Sequence, residues 1–466
     1  MIKKTDVFVL GAGAGGIGCI YSLIKSGLKV VVCDKNSGFG GTMVHSGVCC
    51  WEPGVSLPGI HELLAKELGK YGAHCAKTVS NTLLFQPKNA DDEEDDMQKY
   101  PWALSVMDYD TDYSETLYGY GCRDMKLARR FQFDDMDFEK AIENVFLPYK
   151  ENLTTYFNTS LSKVNIEEGK IKSVELSDGT IVFAGYFVDA SGDIILARKC
   201  GCEYAFGTDG NEVYQEPSAK KTTDIINDVT YIFRISKCED ENYIDTIPDE
   251  YKVDKPLKFE TVSCFNTYPN GDININMLPT MSGREYFSLG EDADKKGRLI
   301  VWNYWNYLQK EKGLKGYKLV KIYNAGVREG YRLVGRKVLT ENDIRKGLDN
   351  TEGCIAVADH TMDIHGEGGL AKFVSRPYGV HIDCCRPKEY DNLFVSCRGA
   401  SFSHIGLSSA RLSRTMLSMG EGVGEYIKML MVNGTEDISK INQTQKFIEY
   451  INKQKFINYK NQEEEK

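Results

Sequence analysis

Residues Thr5–Asp34, TDVFVLGAGAGGIGCIYSLIKSGLKVVVCD, decide how the chain is read. Asp6–Leu10 is a short apolar run of β-branched and aromatic residues, the composition of a buried strand. Gly11, Gly13 and Gly16 follow in G-x-G-x-x-G spacing, and Ile17, Ile20 and Ile24 then recur at helical intervals. Gly27 stops that helix, Lys29–Cys33 is a second apolar strand, and Asp34 stands 18 residues beyond Gly16. Strand, glycine turn, helix, strand and acid in this order form a dinucleotide-binding unit. Gly11 permits the tight turn, Gly13 lets main chain approach a pyrophosphate, and Gly16 lets helix and strand pack closely. The run Gly11, Ala12, Gly13, Ala14, Gly15 and Gly16 is therefore a candidate phosphate cradle, since a helix start offers unpaired N–H groups and a positive dipole end. Asp34, followed by Lys35, is placed to accept hydrogen bonds from a ribose diol. An ordinary strand–helix unit with a glycine-rich loop is the alternative.

The remaining composition narrows the class. The 466 residues exceed one ordinary domain, and 42% hydrophobic with 27% charged residues suits a globular protein with a large core. A net charge of −10 without a basic stripe argues against a nucleic-acid partner. No apolar run approaches the ~20 residues of a membrane span. The start MIKK runs straight into the first strand without a signal-peptide core, so the expected compartment is the cytoplasm. The 14 cysteines are then expected to be thiols, many of them small buried hydrophobes. Seven histidines show no convergent ligand spacing, so no metal is expected.

Lys35–Cys50, KNSGFGGTMVHSGVCC, is a second glycine-rich loop, with Gly40, Gly41 and Thr42 candidates for close approach to a long cofactor. His45 lies in it as a candidate active-site residue. Helices are expected over Leu57–Tyr71, Asp135–Leu147 (Asp134 or Asp135 as N-cap) and Arg298–Lys312, and a long one from about Gly406 to Met431. Strands are expected over Leu153–Ser160, Leu161–Asn165, Ile171–Leu176, Ile181–Ala190, Val229–Ser236, Phe259–Phe265, Ile273–Leu278 and Asn392–Ser396. The acidic run within Asn89–Gln98 reads as a solvated loop and Asp108–Gly121 as an excursion or lid. Arg328, Arg332 and Arg336 would share one face if Gly326–Lys337 were helical, and Asp359–Gly369 reads as a polar loop. The tail, Gly434–Lys466, has isoleucines at amphipathic-helix spacing.

Several segments together resemble a known family. GAGAGG at Gly11–Gly16, GFGGT at Gly38–Thr42, FVDASGD at Phe187–Asp193, GVREGYRLVGRKVLTENDI at Gly326–Ile344, MDIHGEGG at Met362–Gly369, YDNLFVSCRGASFSHIGLSSARL at Tyr390–Leu412 and MGEGVG at Met419–Gly424 occur in shared order. The chain resembles the FAD-dependent oxidoreductases of the glutathione-reductase-like fold, in particular the branch related to fumarate reductase flavoproteins. The resemblance implies an α/β fold: a discontinuous Rossmann-like FAD-binding domain with a β-rich (α+β) substrate or cap domain. The FAD domain would comprise 1–78, 133–207 and 354–433, the lid 79–132, the substrate domain 208–353 and the tail 434–466. It implies FAD as cofactor, with Ser160 and Leu161 passing the adenine, Ala190, Ser191 and Gly192 lying against the adenosine side, and Ser409 on the flavin-facing helix. The dipole of that helix would stabilise negative charge on reduced flavin. Many relatives carry an acid after the last strand where this chain has Arg398, which is expected near flavin or substrate.

His404 resembles the substrate-binding His of fumarate-reductase relatives and is the first candidate for proton transfer. Arg376 and Tyr378 are candidates to grip an anionic or oxygen-rich substrate. The expected function is a hydride transfer between flavin N5 and a small organic substrate, through a C–H/O–H or C=C bond. A disulfide or electron-transfer flavoprotein and a non-catalytic dinucleotide-binding sensor are the alternatives. Cys200–Cys202, the C-G-C motif, lies away from the expected flavin face. A second copy of the chain or a separate electron-transfer protein stays open as partner.

Overall fold

The computed structural model describes residues 1–51, 59–76, 79–80, 130–259, 262–268, 270–347, 352–367, 369–372 and 377–434. Its main sheet grows from the opening strand, Ile2–Leu10, whose last four residues are buried on both faces. That double burial is why the strand reads as a continuous apolar run, as in parallel sheets covered by helices. It pairs in parallel with Val30–Cys33 on one side and with Ile181–Asp189 on the other. Leu153–Tyr156 extends the first edge in parallel. Leu393–Val395 pairs in parallel with the C-terminal end of Ile181–Asp189, and the hairpin Leu161–Glu167 with Lys170–Leu176 pairs antiparallel with its N-terminal end. Seven strands from three separate stretches of sequence thus form one sheet, the discontinuous Rossmann-like arrangement that was expected.

The opening helix Ala14–Lys25 packs against a long C-terminal helix, Ser413–Asn433. Small residues let the two approach: a side chain on Gly18 would collide with the Leu417 carbonyl, and one on Gly420 with the Gly15 carbonyl. A second apolar core lies under an antiparallel sheet of Tyr317–Ile322, Val229–Lys237, Ile273–Met281, Val262–Thr267 and Val79–Ser80. The helix Asp292–Glu311 covers that sheet with Val301, Tyr304, Trp305 and Leu308 fully buried. This is the expected β-rich unit.

Four local readings change. Gly326–Lys337 is not helical: Arg332–Leu333 is a short strand paired with Tyr204–Ala205, and the three arginines point to separate partners. The expected helix from Gly406 is two helices, His404–Ala410 and Ser413–Asn433, because Leu412 is extended between them. Leu153–Tyr156 ends four residues early, where the chain turns to hydrogen bond along Asp34 and Asn36. Asp359–Gly369 contains a strand, Met362–Ile364, paired with Leu370–Lys372. Helices Ile60–Gly69 and Asp135–Phe146 are present, and Asp134 caps the second by accepting from the Met136 N–H at 3.1 Å. Met136 itself faces solvent at 71% exposure rather than joining the apolar face. The acidic run, residues 81–129 of the expected lid, the tail beyond Gly434 and Arg376 lie outside the described residues, whereas Val79–Ser80 at the lid's start joins the antiparallel sheet.

Candidate active site

Main chain from several segments converges at the C-terminal end of the parallel strands. Gly11 has φ +103°, a conformation that L side chains rarely adopt, and a Cβ there would collide with the Ala190 carbonyl. The Ala190 N–H donates to the Leu10 carbonyl at 2.7 Å, so the ends of the first and Ile181–Asp189 strands are tied together. A Cβ on Gly41 would lie 2.7 Å from the Gly13 Cα, and the Gly40 N–H donates to the Ala12 carbonyl at 2.9 Å. A Cβ on Gly15 would collide with the Ser396 carbonyl at the end of the Leu393–Val395 strand. The two glycine loops, the Ala190 turn and the last strand therefore meet within one or two atoms of each other.

The groups present fit a dinucleotide. Gly13, the N-cap of the opening helix, supplies no side-chain cap, and its first turn carries no acid. The first N–H groups of a helix lack intrahelical acceptors and suit an anionic phosphate. Asp34 is nearly buried; its carboxylate accepts from the Ala12 N–H at 2.6 Å and the Asn36 N–H at 2.7 Å, leaving lone pairs for a ribose hydroxyl. Lys35 beside it is exposed. The Thr159 N–H donates to the Asp34 carbonyl at 3.1 Å, which brings Ser160 and Leu161 to the same end of the sheet. Ser191 is held by Asp189, to which its N–H and its hydroxyl both donate. Arg398 pairs with Asp193 at 3.0 Å and lies over Gly192; its Nε is buried with no partner among the described residues, a donor left for an acceptor on a ligand. Thr42 is half-buried, and its carbonyl accepts from the Val48 N–H.

The expected helix dipole changes place. Ser403 caps His404–Ala410 by accepting from the Gly406 N–H at 2.9 Å, so that start is already satisfied. The long helix instead begins at Ser413, with neither a side-chain cap nor an acid in its first turn. Loop 359–363 is fastened to this region: Arg411 donates to Asp363, Arg414 pairs with Asp359, and the Ser409 hydroxyl donates to the His360 carbonyl. Tyr378 is fully buried, and its hydroxyl donates to Ser409 Oγ at 2.7 Å. It thus braces the helix from inside. His45 holds its own loop together, with Nε2 against the Gly38 carbonyl at 3.1 Å.

His404 sits in a network that no sequence spacing revealed. Its main-chain N–H donates to Asp209 Oδ2 at 2.7 Å, and its ring Nδ1 lies 2.8 Å from Glu329 Oε1. Glu329 Oε2 accepts from the Asn227 N–H and from its side-chain amide, both at 3.0 Å. Arg332, fully buried, pairs with Asp209 at 2.8 Å and approaches Glu329 at 3.6 Å. Burial by itself would push Glu329 up, but the His404 ring and the Arg332 guanidinium hold it below the usual carboxylate range. It is ionised at neutral pH. Nδ1 is thereby committed to Glu329, and Nε2 has no hydrogen-bond partner among the described residues. Glu329 lies in the GVREGYR motif, between the regularly spaced Arg328 and Arg332. Asn227 and Asp228 lie in no motif, whereas Asp363 is the second residue of MDIHGEGG.

Burial pushes the Cys200 thiol up to about 12, and the Cys202 and Cys49 thiols are also raised by burial. No cluster of three or more His, Cys, Asp or Glu side chains arranged to hold a metal ion occurs among the described residues. Among them, too, no helix is long and apolar enough to cross a membrane.

Residues 6–448 match the family model described as FAD dependent oxidoreductase. A stretch of 55 residues, 12% of the chain, is 36% identical to a 3-oxosteroid 1-dehydrogenase of Rhodococcus opacus, and it spans only 11% of that enzyme. Among solved structures, a geranylgeranyl bacteriochlorophyll reductase-like protein of Thermoplasma acidophilum is similar over 98% of this chain and 85% of its own, at 12% identity and a TM-score of 0.42. An L-proline dehydrogenase from P. horikoshii is similar over 94% of this chain and 96% of its own, at 13% identity and a TM-score of 0.39.

Proposed function

The chain belongs to the FAD dependent oxidoreductase family, and from that premise we propose that it transfers a hydride between N5 of bound FAD and a small organic substrate, by C–H/O–H oxidation or C=C reduction. The observation that carries this reading is the His404–Glu329 pair at 2.8 Å, with His404 at the start of the helix that follows the last sheet strand. Hydride chemistry on such a substrate needs one proton moved as well. His404 is the residue we assign to it, acting through Nε2, with Glu329 fixing the ring through Nδ1. Main chain at Gly13 and Gly41 and the start of the opening helix hold the pyrophosphate, and Asp34 holds the ribose. The antiparallel sheet and its helix cover the substrate and exclude water.

High thiol pKa values support this reading over a disulfide reductase, which needs a thiolate near neutral pH. We place the enzyme in the cytoplasm, in keeping with the free thiols among the described side chains. The first test is a spectrum of the purified chain, with flavin bands at about 370 and 450 nm. Anaerobic reduction followed by mixing with candidate acceptors should then give turnover that His404→Gln slows about a hundredfold while flavin content is unchanged. A colourless chain that takes up no FAD, or turnover indifferent to His404→Gln, refutes the proposal.

A further inference from the structure

Asp228 lies where the substrate-covering sheet meets the FAD-binding part of the molecule, one residue before the strand Val229–Lys237. Its residue is only 6% exposed, no hydrogen bond to either carboxylate oxygen is made among the described residues, and neither oxygen is sealed from solvent. The surrounding main chain is strapped in place instead. The Asp228 N–H donates to the His365 carbonyl at 3.2 Å, the His365 N–H donates to Asn227 Oδ1 at 2.9 Å, and Arg328 donates to the Asp228 carbonyl at 2.9 Å. The carboxylate rests against Gly366, where any side chain would collide with it. Through Asn227 this position is one hydrogen bond from Glu329, and so two from His404. A largely enclosed carboxylate that no protein donor satisfies, yet that keeps an opening to solvent, is free to take a donor from a ligand.

We propose that Asp228 is a substrate-binding residue that accepts a hydrogen bond from an uncharged hydroxyl of the substrate, at the position that Asn227 and Glu329 link to His404. This deepens the hydride-transfer reading and rests on it. A carboxylate offers only acceptors, so its ligand must be a donor. The charged and titratable groups that face it are Arg328 and His365, both of which favour its ionised form. A cationic amine would be driven against the Arg328 guanidinium, whereas a neutral hydroxyl would not. Burial outweighs them and raises the Asp228 carboxyl above its ordinary range. A raised pKa in the folded state means stability that is full in acid and is lost as pH rises through that pKa.

Two measurements test the assignment. Asp228→Asn keeps the shape and removes the buried charge, so its Tm should exceed that of the unmodified chain by about 1–3 °C at neutral pH and equal it in acid. A lower Tm, or failure to fold, makes Asp228 a structural residue and overturns the proposal. In the second, the FAD-loaded chain is mixed with short-chain and aromatic alcohols and with the methyl ether of each, and the flavin absorbance is followed. Alcohols should perturb the spectrum at about ten- to hundredfold lower concentration than their ethers, and Asp228→Asn should erase the difference. A flavin-loaded chain that ignores every alcohol, or discrimination that survives Asp228→Asn, refutes the hydroxyl assignment. Failure to load FAD at all refutes the preceding functional reading instead.

Discussion

Glu329 and His404 are 75 residues apart in sequence and 2.8 Å apart in space. Glu329→Gln keeps the volume but removes the charge that orients and supports the imidazole. Its kcat should fall about a hundredfold with KM nearly unchanged, and Glu329→Asp should recover part of the loss; steady-state kinetics on any accepted substrate checks both. Asp363 makes a different kind of prediction. Its burial alone would push it up, but His365, which lies 2.8 Å away, and Arg411 bring it down to about 2. A depressed carboxyl stabilises the fold above its unfolded pKa and loses that contribution as pH falls through the folded value. The contact should thus be complete above about pH 4 and lost towards pH 2, a contribution on the order of 2 kcal/mol. Acid denaturation curves of the unmodified chain and Asp363→Asn should differ over that window and converge below it.

The opening strand–turn–helix element separates folding from binding among its own glycines. A Cβ on Gly13 would meet only the Gly41 Cα, at 3.7 Å, and Gly13 has an ordinary extended conformation. A Cβ on Gly15 would strike the Ser396 carbonyl, and one on Gly16 the Gly11 carbonyl. Gly13→Ala should therefore leave the fold and its melting temperature nearly intact while lowering FAD affinity at least about tenfold, because the added methyl stands on the phosphate path. Gly15→Ala should instead destabilise the protein by about 2 kcal/mol or more, since neither colliding atom is a movable side-chain end. Fluorescence titration with FAD, alongside thermal melts of both variants, distinguishes the two outcomes.

For the whole molecule, one guanidinium is a main tie between the antiparallel sheet and the rest of the fold. Arg234, only 6% exposed, reaches from the antiparallel sheet to Asp134 Oδ2 at 2.7 Å and Asp135 Oδ1 at 3.2 Å, at the start of helix Asp135–Phe146. Its Nε also pairs with Asp272 at 2.7 Å, its planar group lies 4.6 Å from the Tyr268 ring, and Lys321 and Tyr323 join at Asp135. Removing one partner of a buried ion cluster orphans the others, at a cost of about 3–5 kcal/mol. Arg234→Met should lower the urea midpoint by that measure and loosen the covering sheet, so limited proteolysis should cut between the two units first. Unchanged proteolysis together with an unchanged midpoint would show that other contacts hold the sheet.

The dinucleotide unit was legible from residues 5–34 because its physics is local: a buried strand, a bare turn and a helix start lie within one short stretch. The same holds for the Asp134 cap and the hairpin Leu161–Glu167 with Lys170–Leu176, where neighbours in sequence are neighbours in space. Arg328, Arg332 and Arg336 show the limit of that reading. Their spacing matches a helix, but Arg332 is drawn to Asp209 and Arg336 to Asp391, each more than fifty positions away. Glu329 against His404, Asn227 against Glu329 and Arg234 against Asp134 are likewise contacts between distant segments, brought together when three stretches of chain close one sheet. Periodicity reports which face of an element is apolar; it carries no information on which buried charge finds which partner. The sequence alone thus determined the strand–glycine turn–helix unit at the start of the main sheet, whereas the charge network around His404 exists only once distant segments have packed, because burial and long-range pairing create it.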